Sequence, residues 1–309
     1  MKQKQFKVSV LIPAYNEEEN IPYLIEEIEE FLKKYNINDW EFILIDDGSN
    51  DKTYEKFISL SKGKDYLRAY RYIKNQGKTK ALSIGSRYAN GEILVIFDAD
   101  LQFTFDDAKK IVEKIEEGYD LVAGKKVGKY QKKFVSTVYN KMAKLVFGVP
   151  VSDMNAMKAF KKKVLEDIPL RKDWHRYIIP FAWEMGYTIT EIPVSLRERR
   201  AGKSKYRGIG RIIVGFMDLI AVKLQLTFLY KPMLFFGTIG LILTFFGFLT
   251  GLIAVIYRFG LGKGNRGILL LSILLLLSGL LLFAIGFIGE GLAGIYDKLQ
   301  KIENRIKEK

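Results

Sequence analysis

Two carboxylates and an amide stand at alternate positions where an apolar run ends: Ile93-Leu94-Val95-Ile96-Phe97 gives way to Asp98-Ala99-Asp100-Leu101-Gln102. Along an extended chain alternate side chains share a face, so Asp98, Asp100 and Gln102 are predicted to project together from the carboxyl end of a buried strand. This is a hard-oxygen donor set. Mg²⁺ or Mn²⁺ takes one or two carboxylates and fills its shell with water and substrate phosphate oxygens, so the expected cofactor is a divalent cation shared with a phosphorylated substrate. The same residues also suit a solvated acidic turn, and the surrounding elements must decide.

Those elements alternate. Phe6 to Pro13 reads as a strand, Glu17 to Tyr35 as a helix with Ile21, Leu24, Ile25, Ile28, Phe31 and Leu32 at helical spacing, and Glu41 to Ile45 as a second strand. Asp46-Asp47-Gly48-Ser49-Asn50-Asp51 follows as a turn that caps a helix from about Lys52. A strand over 67–73, a helix over 78–89 and the strand Ile93 to Phe97 continue the pattern. Strand and helix in alternation predict a mostly parallel sheet covered on both faces, whose ligands bind beyond the carboxyl ends of its strands. The turns after Pro13, Ile45 and Phe97 all fall on that edge, which favours the metal reading of the aspartates.

The chain has 309 residues, 49% of them hydrophobic, with only 7 prolines, which excludes a disordered chain. It has no cysteine and a single histidine, His175, so disulfides, thiolate chemistry and a histidine-built zinc site are excluded. The net charge is +14 and uneven: residues 125–152 hold seven lysines and no acid, and residues 197–211 hold seven basic residues against Glu198 alone. Such patches call for an anionic partner. Gly77-Lys78-Thr79 copies the end of a phosphate-binding P-loop, but Tyr72 occupies the required upstream glycine position. No aromatic and basic platform points to nucleic acid.

The carboxyl-terminal third points to a membrane. Pro232 to Tyr257 and Gly267 to Gly289 carry no charge, and each exceeds the roughly 20 residues that span a bilayer core. The short link from Arg258 to Arg266 predicts an antiparallel hairpin with both flanks on one side. No hydrophobic leader precedes the first strand, so the large domain and both termini are expected in the cytoplasm, in line with Lys298, Lys301, Arg305, Lys307 and Lys309 in the tail.

Pro13-Ala14-Tyr15-Asn16-Glu17-Glu18, Asp46-Asp47-Gly48-Ser49, Asn75-Gln76-Gly77-Lys78 and Asp98-Ala99-Asp100-Leu101-Gln102 stand in the order and spacing of inverting family 2 glycosyltransferases. The chain resembles the polyprenyl-phosphate branch, which includes dolichyl-phosphate mannosyltransferases and undecaprenyl-phosphate sugar transferases. The resemblance implies an α/β GT-A catalytic domain that moves a sugar from a UDP- or GDP-linked donor to a polyprenyl phosphate. It places Pro13, Tyr15 and Glu17 around the nucleotide, and Ile45 and Asp47 at base and ribose. Asp98, Ala99, Asp100 and Gln102 belong to the donor site, with Asp98, Asp100 and Gln102 on the metal. Arg199 and Lys205 lie in a basic loop that closes on the donor, with Gly202 permitting closure. Lys126, Lys132 and Ser136 take the positions that bind the lipid phosphate, where related mannosyltransferases have arginines and a serine. Lysine keeps the charge but loses the bidentate fork. Asp153 aligns with a family aspartate, a position that suits orienting the acceptor and equally a helix cap or an ion pair, and His175 opens a run near the acceptor mouth, where a structural histidine is the preferred reading. The Gln-x-x-Arg-Trp element of processive polysaccharide synthases is absent.

The expected organisation is a catalytic domain over 1–206, juxtamembrane amphipathic helices over 207–231, spans over 232–257 and 267–289, and an amphipathic tail over 290–309. Ile209, Ile212, Ile213, Phe216 and Ile220 form an apolar stripe suited to the membrane interface. Ile295, Leu299, Ile302 and Ile306 recur at intervals of four, three and four, a short seam that predicts a homo-oligomer, with a tetramer implied by related two-span transferases.

Overall fold

The computed structural model describes residues 6–127, 133–168, 171, 173–200, 210–260, 262 and 264–307. The chain divides into two compact units, Met1–Phe216 and Met217–Lys309.

In the first unit, strands β1 (Val8–Ala14), β2 (Trp40–Asp46), β3 (Leu67–Arg71), β4 (Ile93–Ile96), β5 (Leu121–Val127), β6 (Lys158–Lys161) and β7 (Ile189–Ser195) form one sheet in the order β3-β2-β1-β4-β6-β5-β7. β6 runs antiparallel to both β4 and β5, and the remaining pairings are parallel. Helices α1 (Ile21–Tyr35), α2 (Thr53–Leu60), α3 (Lys78–Tyr88) and α4 (Phe105–Glu116) connect the first five strands. α5 (Lys133–Phe147), α6 (Lys162–Asp167) and α7 (Ile178–Glu184) follow, with a 3₁₀ turn over Trp174–Tyr177. Every residue of β2 is buried, as a parallel strand covered on both faces requires.

The core fixes where the acidic turn begins and ends. Phe97 stacks on Phe105 with ring centroids 4.1 Å apart, and Phe42 meets Phe105 edge-on at 5.5 Å. Thr104 caps α4 by accepting from the Asp107 N–H at 2.9 Å, and Asp106 and Asp107 in the first turn suit the positive helix end. The eight residues from Phe97 to Thr104 are therefore anchored at both ends, one in the sheet and one at a helix cap.

Two of the boundaries that differ from the sequence expectation have a local cause. α1 starts at Ile21 instead of Glu17, because the Glu17 N–H donates to Thr53 Oγ1 at 2.8 Å and Pro22 sets the first helical turn. β3 stops at Arg71, where its partner β2 ends in the register Asp46↔Arg71, and Ile73 beyond it is fully exposed.

The second unit is helical. α8 (Gly210–Tyr230) enters it from the first, with Phe216, Met217 and Ile220 exposed, while Ile209 lies outside the described residues. α9 (Thr238–Phe259), entered through a π turn over Met233–Gly237, packs along α10 (Arg266–Lys307). The segments Met233–Phe259 and Arg266–Tyr296 are apolar and long enough to cross a membrane. A Cβ on Gly240 would meet the Gly279 carbonyl at 2.6 Å, so only glycine permits this backbone approach, and Ser272 Oγ donates to the Gly247 carbonyl at 2.8 Å. Asn265 Oδ1 accepts from the Gly267 N–H at 2.9 Å and opens α10. α10 is continuous for 42 residues, so the stretch expected as a separate tail from 290 prolongs the second apolar helix.

A candidate active site at the carboxyl edge of the sheet

The carboxyl ends of β1, β2 and β4 are level. Ala14 pairs with Asp46 and Leu11 with Ile96; the Asp47 N–H donates to the Ala14 carbonyl at 2.8 Å and the Phe97 N–H to the Leu11 carbonyl at 3.0 Å. The loops leaving these ends are sewn together by side chains. Asn16, in the left-handed region at φ +50°, donates its N–H to Ser49 Oγ, and its own Oδ1 accepts from the Asn50 N–H, both at 2.8 Å. Asp47 accepts from the Gln76 and Gly77 N–H groups at 2.8 Å each, which binds the Asn75–Lys78 loop to the end of β2. Gly48, at φ +71°, lies so close under this loop that a Cβ would stand 2.7 Å from the Asn75 nitrogen. Pro13, Tyr15 and Glu17 stay partly exposed at the mouth. Ile45, expected at the base, is fully buried instead, with Cδ1 facing α3 at Gly85, so its side chain belongs to the core.

The aspartates converge by a different route from the one expected. β4 ends at Ile96, and Asp98 to Leu101 forms a turn in which the Leu101 N–H donates to the Asp98 carbonyl at 3.4 Å. Leu101 adopts φ +54°, a sparsely populated region for a leucine, while its side chain is buried. Burial of that side chain holds the turn, and strand alternation does not.

Each aspartate faces a cation. Lys78, the first residue of α3, pairs with Asp98, and Arg199 Nη2 lies 2.8 Å from Asp100 Oδ2. Arg199 Nε donates to Gln102 Oε1 at 3.3 Å, so one guanidinium spans two of the three expected metal ligands. Burial alone would raise the Asp98 carboxyl, but Lys78, with Lys158 and Arg199 behind it, holds it below the ordinary carboxylate range. Burial and the adjacent Asp98 raise Asp100 to about 6 against the opposing pull of Arg199. Arg199 belongs to a segment fastened to its surroundings: the Arg197 N–H donates to the Gln102 carbonyl at 2.8 Å, Arg197 pairs with Glu27 at 3.2 Å, and Arg200 lies over the Tyr23 ring at 5.6 Å.

Among the described residues no cluster of three or more acidic or histidine side chains closes on one point. Two carboxylates and one amide oxygen fit a cation that completes its shell with substrate oxygens and water. Lys78 and Arg199 mark where positive charge is wanted.

On the other flank, Asp153 is buried, accepts from the Asn155 N–H at 3.0 Å and from Asn140 Nδ2 at 3.4 Å, and stands 3.6 Å from Lys126 Nζ. His175 meets Thr79 twice, Nδ1 to Oγ1 at 3.0 Å and N–H to Oγ1 at 3.2 Å, which seats it beside α3. Lys132 and Lys205 lie outside the described residues, as does Gly202, and for Ser136 only its place in α5 is described. Sequence reasoning did not single out Lys78 or Lys158 as site residues. Lys78 was absorbed by the P-loop look-alike. The signal for Lys158 was a lysine inside the apolar run Met157-Lys158-Ala159-Phe160, where a charge is costly unless used.

The model of glycosyl transferase family 2 matches residues 9–170, more than half of the chain. An undecaprenyl-phosphate 4-deoxy-4-formamido-L-arabinose transferase of Photorhabdus laumondii subsp. laumondii is 29% identical over 304 residues, covering 95% of this chain and 91% of that protein. A dodecaprenyl-phosphate galacturonate synthase of Rhizobium johnstonii is 30% identical over 310 residues, covering 95% and 89%. Among solved structures, glucosyl-3-phosphoglycerate synthase from Mycobacterium tuberculosis, crystallised with Mn²⁺, UDP and glucosyl-3-phosphoglycerate, aligns with a TM-score of 0.56 at 20% identity, over 72% of this chain and 80% of that one. That likeness is one of fold, and it identifies the sheet and its covering helices as the expected GT-A type. The motif-bearing turns at 13–18, 46–49, 75–78 and 98–102 all lie inside the matched span, and the chain belongs to glycosyl transferase family 2 and is a glycosyltransferase.

Proposed function

We propose that the chain transfers a sugar, with inversion, from a UDP- or GDP-sugar to a polyprenyl phosphate at the membrane surface. The observation that carries this reading is the pairing, in one chain, of an acidic turn at the sheet edge with two apolar helices long enough to cross a bilayer. Both relatives named above act on polyprenyl phosphates by name, and they align over nearly the whole chain, the apolar helices included.

In this reading the nucleotide lies against Pro13, Tyr15, Glu17 and the Asp47 loop, and Asp98, Ala99, Asp100 and Gln102 face its diphosphate. Mg²⁺ or Mn²⁺ held by Asp98, Asp100 and Gln102 would offset the charge that builds on the leaving diphosphate. Arg199, with Lys205 beyond it, moves from the carboxylate to the diphosphate when donor arrives. Lys126, Lys132 and Ser136 hold the lipid phosphate, and Asp153 fixes Lys126.

The acceptor chemistry explains the modest catalytic apparatus. A phosphomonoester, with a second pKa near about 6, is already an oxyanion at neutral pH, so no strong general base is needed. One phosphate oxygen forms a bond to the anomeric carbon on the face opposite the donor. The bond from that carbon to the diphosphate oxygen breaks, and the nucleoside diphosphate leaves with the electron pair. The hairpin of α9 and α10 anchors the enzyme in the membrane with the catalytic domain and both termini in the cytoplasm. The exposed stripe Ile295, Leu299 and Ile302 on α10 favours assembly of several copies, most simply a tetramer.

The test is incubation of the chain in nanodiscs with a panel of nucleotide sugars and polyprenyl phosphates, followed by mass spectrometry of the lipids. A polyprenyl phosphate heavier by one sugar residue is expected from at least one donor. Sugar transfer only to other acceptors would contradict the reading.

A further inference from the structure

A cavity opens directly behind Asp98, lined among others by Lys78, Asn155, Lys158, His175 and Arg176. Topology puts Lys158 there. β6 runs antiparallel between β4 and β5, so its first residue falls at the carboxyl end of β4, in the register Ile96↔Lys158, two residues before Asp98. The residue is only 5% exposed, and among the described residues no carboxylate or carbonyl lies within hydrogen-bond or ion-pair distance of its ammonium. Asp98 and Asp153 act on it only at longer range, Asp98 is already paired with Lys78, and Asp153 has Lys126 beside it. A buried cation among other cations is unfavourable in the empty chain.

We propose that the acceptor's phosphate reaches into this cavity and that Lys158, in addition to the residues assigned to that phosphate above, holds it against the reacting carbon. The inference rests on the sugar-transfer reading above and assigns a place to its acceptor. An acceptor dianion must come within bonding distance of a carbon attached to a diphosphate, beside Asp98 and Asp100, and each of those groups repels it. Lys78, Lys158 and Arg176 supply positive charge around the cavity. Burial, with Lys78 close by, pushes the Lys158 ammonium down to about 7, a measure of how poorly the empty cavity supports its charge. A bound phosphate reverses that balance, because a charge-assisted hydrogen bond in a dry site is among the strongest contacts available.

Lys158→Met and Lys158→Arg in the full chain in nanodiscs test the proposal. The first readout is binding of inorganic phosphate, followed by ³¹P NMR, which needs no turnover. Lys158→Met is expected to weaken it about tenfold or more, and Lys158→Arg to restore most of it. Equal binding in wild type and Lys158→Met overturns the proposal. The melting temperature separates use from support: Met in place of an unpaired buried lysine should leave it unchanged or raise it, whereas a structural lysine would lower it with phosphate binding intact. Steady-state kinetics then identifies the source of the phosphate. A rise of about tenfold in the KM for polyprenyl phosphate, with the KM for nucleotide sugar within about twofold, supports the acceptor assignment. A rise confined to the nucleotide sugar overturns it and gives the cavity to the donor. If wild type glycosylates no polyprenyl phosphate, the sugar-transfer reading fails, and the acceptor assignment is overturned with it even if inorganic phosphate still binds through Lys158.

Discussion

Arg199 Nη2 stands 2.8 Å from Asp100 Oδ2 while its Nε reaches Gln102, so a guanidinium of the chain's own occupies the charge position that a divalent cation would take. In the proposed reading the two cations compete for one carboxylate. Arg199→Ala should therefore strengthen binding of Mn²⁺ alone by several-fold, because Asp100 loses its counter-charge, and raise the KM for nucleotide sugar by about ten- to a hundredfold, because the diphosphate loses a partner. Electron paramagnetic resonance of free Mn²⁺ and donor kinetics give the two numbers, and movement of both in the same direction would contradict the competition.

The lipid side should respond separately. Lys132→Ala is expected to raise the apparent KM for polyprenyl phosphate by about tenfold and leave that for the nucleotide sugar nearly unchanged, since one phosphate contact is lost on one substrate only. Equal effects on both substrates would remove Lys132 from the acceptor site.

Gly48 and Gly63 have nearly the same backbone, φ +71° and φ +76°, but different surroundings. At Gly63 a Cβ meets nothing within 4 Å, so Gly63→Ala should cost only left-handed strain, about 1–2 kcal/mol. At Gly48 it meets the Asn75 nitrogen at 2.7 Å, so Gly48→Ala should cost clearly more and release the 75–78 loop. Urea unfolding of the two variants compares them, and equal losses would contradict the packing of the loop on Gly48.

Ile295, Leu299 and Ile302 are each more than half exposed along α10 in the single chain. If copies associate through this stripe, removing the residues after Gly294 should reduce the mass of the particle in nanodiscs. An unchanged oligomer would clear the stripe of that role, and a monomeric full-length protein would remove assembly altogether.

The sheet was legible because its apolar runs end in turns that carry chemistry: Ile93 to Phe97 before Asp98, and Glu41 to Ile45 before Asp46. What local pattern cannot show is which strand lies beside which. Insertion of β6 antiparallel between β4 and β5 joins residues far apart in the chain, and only that insertion carries Lys158 toward Asp98; in sequence Lys158 stands out only as a charge inside an apolar run, with nothing to say what it faces. Strand alternation brought Asp98, Asp100 and Gln102 together for the wrong reason. The chain turns at Leu101, whose left-handed backbone is sustained by a buried side chain, and that long-range constraint has no sequence signature. That the Ile45 side chain turns into the core toward Gly85 was not legible either, because which face of a fully buried strand looks which way depends on the helix above it.

The central claim is that Asp98 and Asp100 present a cation-bound nucleotide sugar to a polyprenyl phosphate. Its most direct test is the rate of glycolipid formation by the purified chain, read by mass spectrometry with Mn²⁺, with chelator, and for Asp100→Asn with Mn²⁺. Glycolipid from wild type with Mn²⁺, and a rate lower by about a thousandfold or more in the other two samples, is the predicted result. Turnover of Asp100→Asn within about tenfold of wild type, or full activity in chelator, would contradict it.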